Sequence, residues 1–522
     1  MKKKIFLLIM IFILCINFVA CNKIDDKEDA NKEDGEAYLL SQGGNINLPL
    51  TPFKTFNPIL NDNLYYFYFK DLIYSSLLEI NDDSSLNNLL ASSVEKIDDR
   101  TYRIKLREGV KFHNGKILSA DDVIFSYNYI LNNKDRSFYY NLINDESNKI
   151  FNGSQNFAMN RVDNNTIEVR FASASKNNLY KLTFPIISSS DDYKNYTPNG
   201  TGPFKFKSYE NNKTLILEKN KSYFNGQASI DTVTGIVIDN PSNFEGIFET
   251  GKLDIYTAFD TNYSEFLNSS KYAALEFPSN KLYYIGFNYK KNPSLDLRKV
   301  IEASINKDII NKEVFSTNLS LCKGFYPEES VFGLHDIKEK EDLSKLSVKK
   351  NENHQYVDEN NKIIKLNILY NKNDAKKRAI ANIIYTQLDN AGFKVEMLGK
   401  NANDISFTEN YDIYVGEYLV NNSFDLNYRF SNRSEANFTS YSDDRYEALL
   451  NNLYANKIEY KEINNFLQDE KIYIPLGYEK NALVLKENMI YDGKINFQNV
   501  YSKIKDLIIV SAKSWYYSNL ML

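Results

Sequence analysis

Residues 101–130, TYRIKLREGVKFHNGKILSADDVIFSYNYI, have little freedom in how they fold. Tyr102, Ile104 and Leu106 alternate with Arg103, Lys105 and Arg107, the period of a strand with one buried face. Asn114-Gly115 tolerates positive φ at both turn positions, so VKFHNGKIL is expected to fold back as a hairpin. Ser119, with Asp122 three residues on, forms a capping box, and Val123, Phe125, Tyr127 and Ile130 supply apolar surface for the helix that follows. The three signals abut without slack.

Further along, strands alternate with helices as in an α/β protein. IIKLNILY at 363–370 has strand character, AKKRAIANIIYTQLDNAGF follows as a helix ended by Gly392, and KVEML is the next strand. That βαβ unit predicts a parallel pair with a right-handed crossover. LYYIGFNYK leads through Asn292-Pro293 into SLDLRKVIEASINKDIINKEVF, where Val300, Ile301, Ile305 and Ile309 mark one helical face. Residues 335–362 are polar and are expected to form a solvated excursion.

Lys2, Lys3 and Lys4 precede an apolar run from Ile5 to about Phe18 and then Val19-Ala20-Cys21, so residues 1–20 have the layout of a secretory signal. The run is shorter than the roughly 20 apolar residues that span a bilayer. FVAC resembles the bacterial lipobox, with Phe18 where that pattern usually has Leu. The resemblance implies that Cys21 is diacylated and becomes the mature amino terminus; a plain signal peptide would leave Cys21 incidental. The residues after Cys21, NKIDDKEDANKEDGE, are charge-dense with almost nothing to bury, which suits 21–36 to a flexible tether. Two acyl chains give stable membrane attachment where one is marginal.

With Cys15 in the signal and Cys21 lipidated, Cys322 alone remains in the folded body and no internal disulfide is expected. Such a chain depends on a large core, which 522 residues with 43% hydrophobic and 14% aromatic content can build in two or three domains. The formal charge of -5 becomes about -8 once Lys2, Lys3 and Lys4 leave with the signal. Lys and Arg are scattered among Asp and Glu, so no basic patch marks a nucleic-acid partner.

Catalytic patterns are sparse. HExxH, CxxC and GxSxG are absent, and the three histidines, His113, His335 and His354, fall beside a turn or in the polar excursion. Gly246 to Lys252 satisfies GxxxxGK, but Leu253 stands where Ser or Thr would hold Mg²⁺, and SNFEGIFETGK has the pattern of an amphipathic helix ended by Gly251. Asp121-Asp122 and Asp443-Asp444 sit where helices begin, so capping explains them. No enzyme activity, cofactor or metal is expected.

The stretch YRIKLREGVKFHNGKILSADDVIFSY closely resembles the signature of the family 5 bacterial extracellular solute-binding proteins, the receptors of peptide and nickel ABC importers. The resembling positions are Arg107 to Gly109, Val110, Phe112, His113, Gly115, Ala120, Asp121, Asp122, Val123, Phe125 and Ser126. Other islands follow in the family's order: NGTGPFKFKSYENNKTLILEKNKSYF from Asn199, FETGKLDIY, DLRKVIEASINK from Asp296, IIYTQLDNAGFKVEM, NFTSYSDDRYEALL and IYIPLGYEKNALVLKEN.

The resemblance implies a two-lobe, periplasmic-binding-protein-like (class II) α/β fold with an additional domain inserted in the first lobe. Lobe one is expected at about 37–60, 195–280 and 480–522, the insert at 61–194 and lobe two at 288–476. The implied function is a lipid-anchored receptor on the outer face of the bacterial cytoplasmic membrane. It captures an oligopeptide or dipeptide in the interlobe cleft and delivers it to the permease subunits of an ABC importer, as a monomer. The alternative is the same fold binding a metal chelate, an oligosaccharide or another solute, or acting as a surface sensor without transport.

Peptide binders of this family commonly hold the ligand ammonium with an aspartate in the segment matching YDIYVGEYLVNNSFDLNYRF. This chain departs from that pattern: Glu417-Tyr418 replace the usual Gly-following Trp, and Val420, Asn421 and Asn422 stand where the aspartate would fall. Either Glu417 or Asp425 pairs with the ammonium, or the ligand is not held by a free amino terminus, because an unpaired buried charge costs on the order of 3 to 5 kcal/mol. Tyr65, Tyr283 and Tyr418 are candidate cleft aromatics, and Asn421 and Asn422 candidate polar contacts.

Overall fold

The structure, a computed structural model, describes residues 40–143 and 157–510 apart from 42, 173, 260–262, 335–341, 407, 421–426 and 436. The expected signal, Cys21 and the tether therefore lie outside the described residues, as do His335, Asn421, Asn422 and Asp425.

In chain order the longer elements begin with β1 (Asn45–Leu50) and α1 (Leu64–Ile73). Next come β2 (Ala91–Lys96), β3 (Thr101–Leu106), α2 (Ala120–Asn132), α3 (Phe138–Ile143), β4 (Ala158–Asp163) and β5 (Thr166–Arg170). They are followed by β6 (Phe204–Glu210), β7 (Thr214–Lys219), β8 (Thr232–Val237), α4 (Phe244–Glu249), β9 (Ile255–Ala258) and β10 (Tyr272–Phe287). The remainder comprises α5 (Leu295–Ala303), α6 (Lys307–Phe315), β11 (Leu319–Leu321), β12 (Lys365–Asn371), α7 (Ala375–Ala391), β13 (Lys394–Lys400) and β14 (Ile413–Leu419). It ends with α8 (Asp444–Tyr454), α9 (Tyr460–Glu470) and β15 (Tyr473–Lys486). Among the described residues no helix is long and apolar enough to cross a membrane.

The corner expected at 101–130 forms. Tyr102, Ile104 and Leu106 of β3 are buried, while Arg103 and Lys105 are exposed. The turn differs from the expectation in one respect: only Gly115 has positive φ, at +90°, and Asn114 does not. Phe112 N–H donates to Lys116 O at 2.8 Å and Gly115 N–H to Phe112 O at 2.8 Å, so three residues turn the chain, with glycine in the one left-handed position. Asp122 is fully buried at the start of α2. Its carboxylate accepts from Lys116 Nζ at 2.7 Å, Ser189 N–H at 2.8 Å and Ser119 N–H at 3.0 Å, tying hairpin, helix and the Ser188-Ser189 segment together. Burial pushes its pKa up, but the bonds from Lys116, Ser189 and Ser119 outweigh that and hold it below the usual carboxylate value.

This corner is fastened to the Asn199-Gly-Thr-Gly-Pro203 segment. His113 N–H donates to Gly200 O at 2.9 Å, Asn114 N–H donates to Asn199 Oδ1 at 3.1 Å, and the His113 ring lies between Gly200 N at 3.3 Å and Gly202 O at 3.1 Å. Gly202 N–H in turn donates to Ile73 O, the last residue of α1, at 2.8 Å. A Cβ on Gly200 would lie 1.9 Å from Ile73 O, and one on Gly202 2.5 Å from Ile73 C. Two islands some 85 residues apart in sequence are thus one joint closed on the carbonyl end of a helix.

Three sheets carry the body. β2–β5 form an antiparallel sheet in the order β2-β3-β5-β4, and β1, β8, β7 and β6 form a second in that order, with β1 and β8 parallel. The third has seven strands in the order β9-β15-β10-β14-β12-β13, with β11 added on β15. One apolar cluster runs continuously through Ile46, Leu48, Phe69, Ile104, Val123 and Leu483, serving the first two sheets together. A second body holds two clusters, one aliphatic around Ile368, Ile380, Ile384 and Ile413, the other aromatic around Tyr284, Phe325, Tyr446 and Tyr473.

β10 and β15 pass through both bodies. Tyr272–Pro278 pair with Lys486–Lys480, and Leu282–Gly286 pair with Tyr478–Tyr473. Between them, Ser279, Asn280 and Lys281 stand against Glu479 alone, a bulge at the crossing point. Beyond it, β10 turns its other edge to β14, from Lys281↔Leu419 to Phe287↔Ile413.

The expected βαβ unit is β12-α7-β13, its strands parallel and its helix ended by Gly392 at φ +109°. GxxxxGK falls on α4 and its terminating Gly251, at φ +81°. Two expectations need correction. SLDLRKVIEASINKDIINKEVF is two helices, because the Asn306 side chain accepts from Asp308 and Ile309 N–H and starts α6 afresh. The phase changes there, so Ile309 is exposed and Ile310 is buried. The 335–362 stretch also contains a small hairpin, Lys349–Lys350 with Tyr356–Val357, whose Tyr356 ring stacks on Phe393 at 4.5 Å.

Two outcomes follow from the joint. Gly202→Ala is expected to lower stability by about 3 kcal/mol or more in denaturant unfolding, since the intruding atom meets backbone. Gly246→Ala, with open space around it in α4, should instead raise stability slightly, by roughly 0.5–1 kcal/mol. His113 in the neutral form accepts at Nδ1 and donates from Nε2, and burial pushes its pKa down to about 4. The unfolded chain, with a histidine pKa near ~6.5, takes up the proton first, so stability should fall as pH drops from about 6.5 to 4. In His113→Asn the drop in Tm between pH 7 and pH 4.5 should be smaller.

Candidate functional site

Two cavities meet at the bulge. The first, about 360 Å³, is bordered by Asp82 and Asp83 ahead of β2, by Glu276 and Ser279 of β10, by Lys480 of β15, and by Tyr326 and Glu329 of the second body. The second, about 500 Å³, is bordered by Leu64, Phe67 and Tyr68 of α1, Phe138 of α3, Phe259 and Leu419. Ser279, Val420 and Phe497 border both. Together they form a cleft of the size that takes small organic ligands.

The register change makes this opening possible. Where Ser279–Lys281 bulge out of the ladder with β15, the strands part, and the end of β14 comes in from the other side: Val420 N–H donates to Asn280 O at 2.8 Å. The cleft rim is then crossed by contacts between the bodies. Val331 N–H donates to Asp83 O at 2.8 Å, and Tyr460 Oη donates to Asn177 Oδ1 at 2.5 Å. Lys176 and Glu459 make an ion pair on the same side.

The first cavity is charged. Asp82, Asp83, Glu276 and Glu329 face Lys480 and Lys494 around it. Glu276 is already engaged, accepting from Lys480 Nζ at 3.1 Å and from Tyr263 Oη at 2.9 Å. Burial, and then the Glu276 carboxylate, push the Tyr263 hydroxyl far above its ordinary value, so it serves as a neutral donor throughout the physiological range. Among the described residues the second cavity has only Asp62 and Lys281 as charged borders, and its walls are mainly aromatic and aliphatic, with Asn61, Asn63, Ser279, Asn280, Asn481 and Gln498 also bordering it. Among the described residues no group of three or more His, Cys, Asp or Glu side chains is placed to hold a metal ion.

The residues singled out from sequence fall elsewhere. Tyr65 is buried against Phe244 at 4.8 Å and Phe259 at 6.0 Å, its hydroxyl pushed up to about 12 by burial, and it borders neither cavity. Leu64, Phe67 and Tyr68 share the cavity-facing side of α1 at i, i+3 and i+4, about 100° round from Tyr65. Tyr283 packs into the aliphatic core, its ring 5.0 Å from Phe315 and its hydroxyl 3.5 Å from Glu479 Oε2. Tyr418 stacks on Tyr284 at 4.2 Å in the aromatic core. Glu417 is paired with Lys377 Nζ at 3.3 Å, the same ammonium that holds Asp374 at 3.2 Å. In this arrangement Tyr65, Tyr283, Glu417 and Tyr418 border neither cavity, whereas the expectation placed them at the cleft. Asn421, Asn422 and Asp425 follow directly on Val420 but lie outside the described residues.

Sequence reasoning missed Ser279, Phe138 and Phe497. For Ser279 a signal existed: Pro278 interrupts the long run LEFPSNKLYYIGF, and proline within a strand marks a bulge or an edge. For Phe138 and Phe497 none existed, since their segments approach the cleft only through the tertiary fold.

The profile of the bacterial extracellular solute-binding proteins, family 5 Middle, matches residues 85–440. The oligopeptide-binding protein AppA of Bacillus subtilis is 22% identical over 94% of this chain and 95% of its own length. Among solved structures, the unliganded open form of the periplasmic murein tripeptide-binding protein MppA superposes with a TM-score of 0.77 at 16% identity, covering 92% of this chain and 99% of that one. The nickel ABC transporter protein of Bacillus halodurans does so with a TM-score of 0.76 at 16% identity, covering 90% and 100%. The fold is that of the class II periplasmic binding proteins, and the chain belongs to the bacterial extracellular solute-binding proteins of family 5.

Proposed function

We propose that this protein captures peptides in the cleft beside the β10 bulge and hands them to the permease of an ABC importer, without altering them. The observation that carries this reading is the composition of the cleft: a carboxylate- and lysine-bordered cavity adjoins an apolar one across Ser279, Val420 and Phe497. A peptide has matching parts, charged termini and apolar side chains on a polar backbone. The naming of the Bacillus subtilis relative for oligopeptides and of MppA for a murein tripeptide supports the same substrate class.

In this reading the first lobe (37–60, 195–280 and 480–522), the insert (61–194) and lobe two (288–476) surround the cleft, and lobe two hinges about β10 and β15. Ligand shifts the population toward the closed form, and the permease recognises that form. The rim contacts Lys176–Glu459, Tyr460–Asn177 and Val331–Asp83 are those that opening would break. Lipid on Cys21 and the tether 21–36 would hold the receptor, as a monomer, on the outer face of the cytoplasmic membrane.

Thermal-shift assays on the chain from residue 21 carrying Cys21→Ser, against a dipeptide-to-hexapeptide library, should find peptides that raise Tm. A ligand at 100 times its Kd stabilises by about 2.7 kcal/mol. Failure of every peptide, with a non-peptide solute seen in the native mass spectrum, would overturn the reading. In cells, Cys21→Ser is expected to move the protein out of the membrane fraction; retention there would refute the anchor.

A further inference from the structure

Resting on the peptide-binding reading, we propose that the 500 Å³ cavity is a specificity pocket that selects ligands bearing a large aliphatic or aromatic side chain. Leu64, Phe138 and Leu419 are its selecting rim.

Three observations lead there. Leu64, Phe138 and Leu419 are 50%, 49% and 53% exposed, and all three border this one cavity although they come from α1, α3 and the end of β14. Single exposed apolar residues are ordinary on protein surfaces, whereas convergence of three on one hollow marks a place where a partner's apolar surface is buried. The walls are also built in advance. Phe67 meets Phe138 edge-on at 5.5 Å, and Tyr68 stacks on Phe259 at 5.6 Å, so the aromatic surface is fixed before anything enters.

The third observation is the scarcity of charge. Among the described residues the pocket borders hold one carboxylate, Asp62, and one ammonium, Lys281, so a charged side chain would lose its hydration with little in exchange. The adjoining cavity, with its four carboxylates and two lysines, is where the charged part of the same ligand is accommodated.

Titration calorimetry with tripeptide sets, in which one position at a time carries Gly, Asp, Lys, Leu or Phe in an Ala background, tests this on the chain from residue 21 with Cys21→Ser. At one position Leu or Phe should bind at least ten-fold more tightly than Gly, about 1.4 kcal/mol, and Asp and Lys no better than Gly. Leu419→Asp and Phe138→Ser, both at exposed sites, should collapse that preference. Ile490→Ser, an equally exposed apolar residue that borders neither cavity, should leave it intact. Peptides that bind with the same affinity whatever the varied residue would overturn the inference and leave the peptide reading standing. Collapse of the preference in Ile490→Ser would overturn it too. Absence of binding by every peptide would sink the peptide reading itself, and this inference with it.

Discussion

Everything about the cleft depends on three residues of one strand facing a single residue of its neighbour. Had β10 and β15 paired without interruption, they would have formed a closed ladder from Tyr272 to Phe287, and the hydrophobic clusters on either side would meet across a flat sheet. The bulge at Ser279–Lys281 exposes backbone at the crossing, lets β14 take over the far edge of β10, and leaves space on both sides of Ser279. Proline at 278 enforces this, because it has no amide hydrogen to give to the ladder.

The next level of organisation is the joint around Gly200 and Gly202. Here Gly202 N–H of the glycine-rich segment donates to the Ile73 carbonyl at the helix end, and Gly200 O accepts from His113 N–H of the hairpin turn, a close approach that only residues without a Cβ permit. His113 completes it by using both ring nitrogens on backbone, and the buried Asp122 does comparable work at the start of α2. What sequence motifs record in this chain is largely such close backbone approach, while the candidate cleft takes Tyr478, Lys480 and Asn481 from the IYIPLGYEKNALVLKEN stretch and much of the rest from residues outside the motifs.

This explains how much could be read beforehand. The strand at 101–106, the capping box at Ser119, the βαβ unit ended by Gly392 and the helix under GxxxxGK were all legible, since each depends on signals within a few residues. The break at Asn306 was legible in principle, being a capping residue inside an apolar repeat, but the periodicity of Val300, Ile301 and Ile305 masked it. The cleft was not legible from residue type. In a chain where 14% of residues are aromatic, choosing Tyr65, Tyr283 and Tyr418 as aromatics says nothing of which face they occupy, and a shift of one position along α1 or β14 separates a core residue from a cavity wall. Leu64, Phe138, Ser279, Leu419 and Phe497 come together only through long-range packing, which no local pattern encodes.

The continuous cluster from Ile46 through Ile104 to Leu483 has a mechanical meaning. Chain order suggests three parts, yet the segment between α1 and Asn199 shares its interior with the sheet before and after it and is bolted to it at Ile73. In the proposed hinge about β10 and β15, such a molecule would work like a pair of tongs with one thick arm and one thin one: the thick arm could carry extra surface for contacts without adding a second pivot, and the compliance would be concentrated where two strands cross.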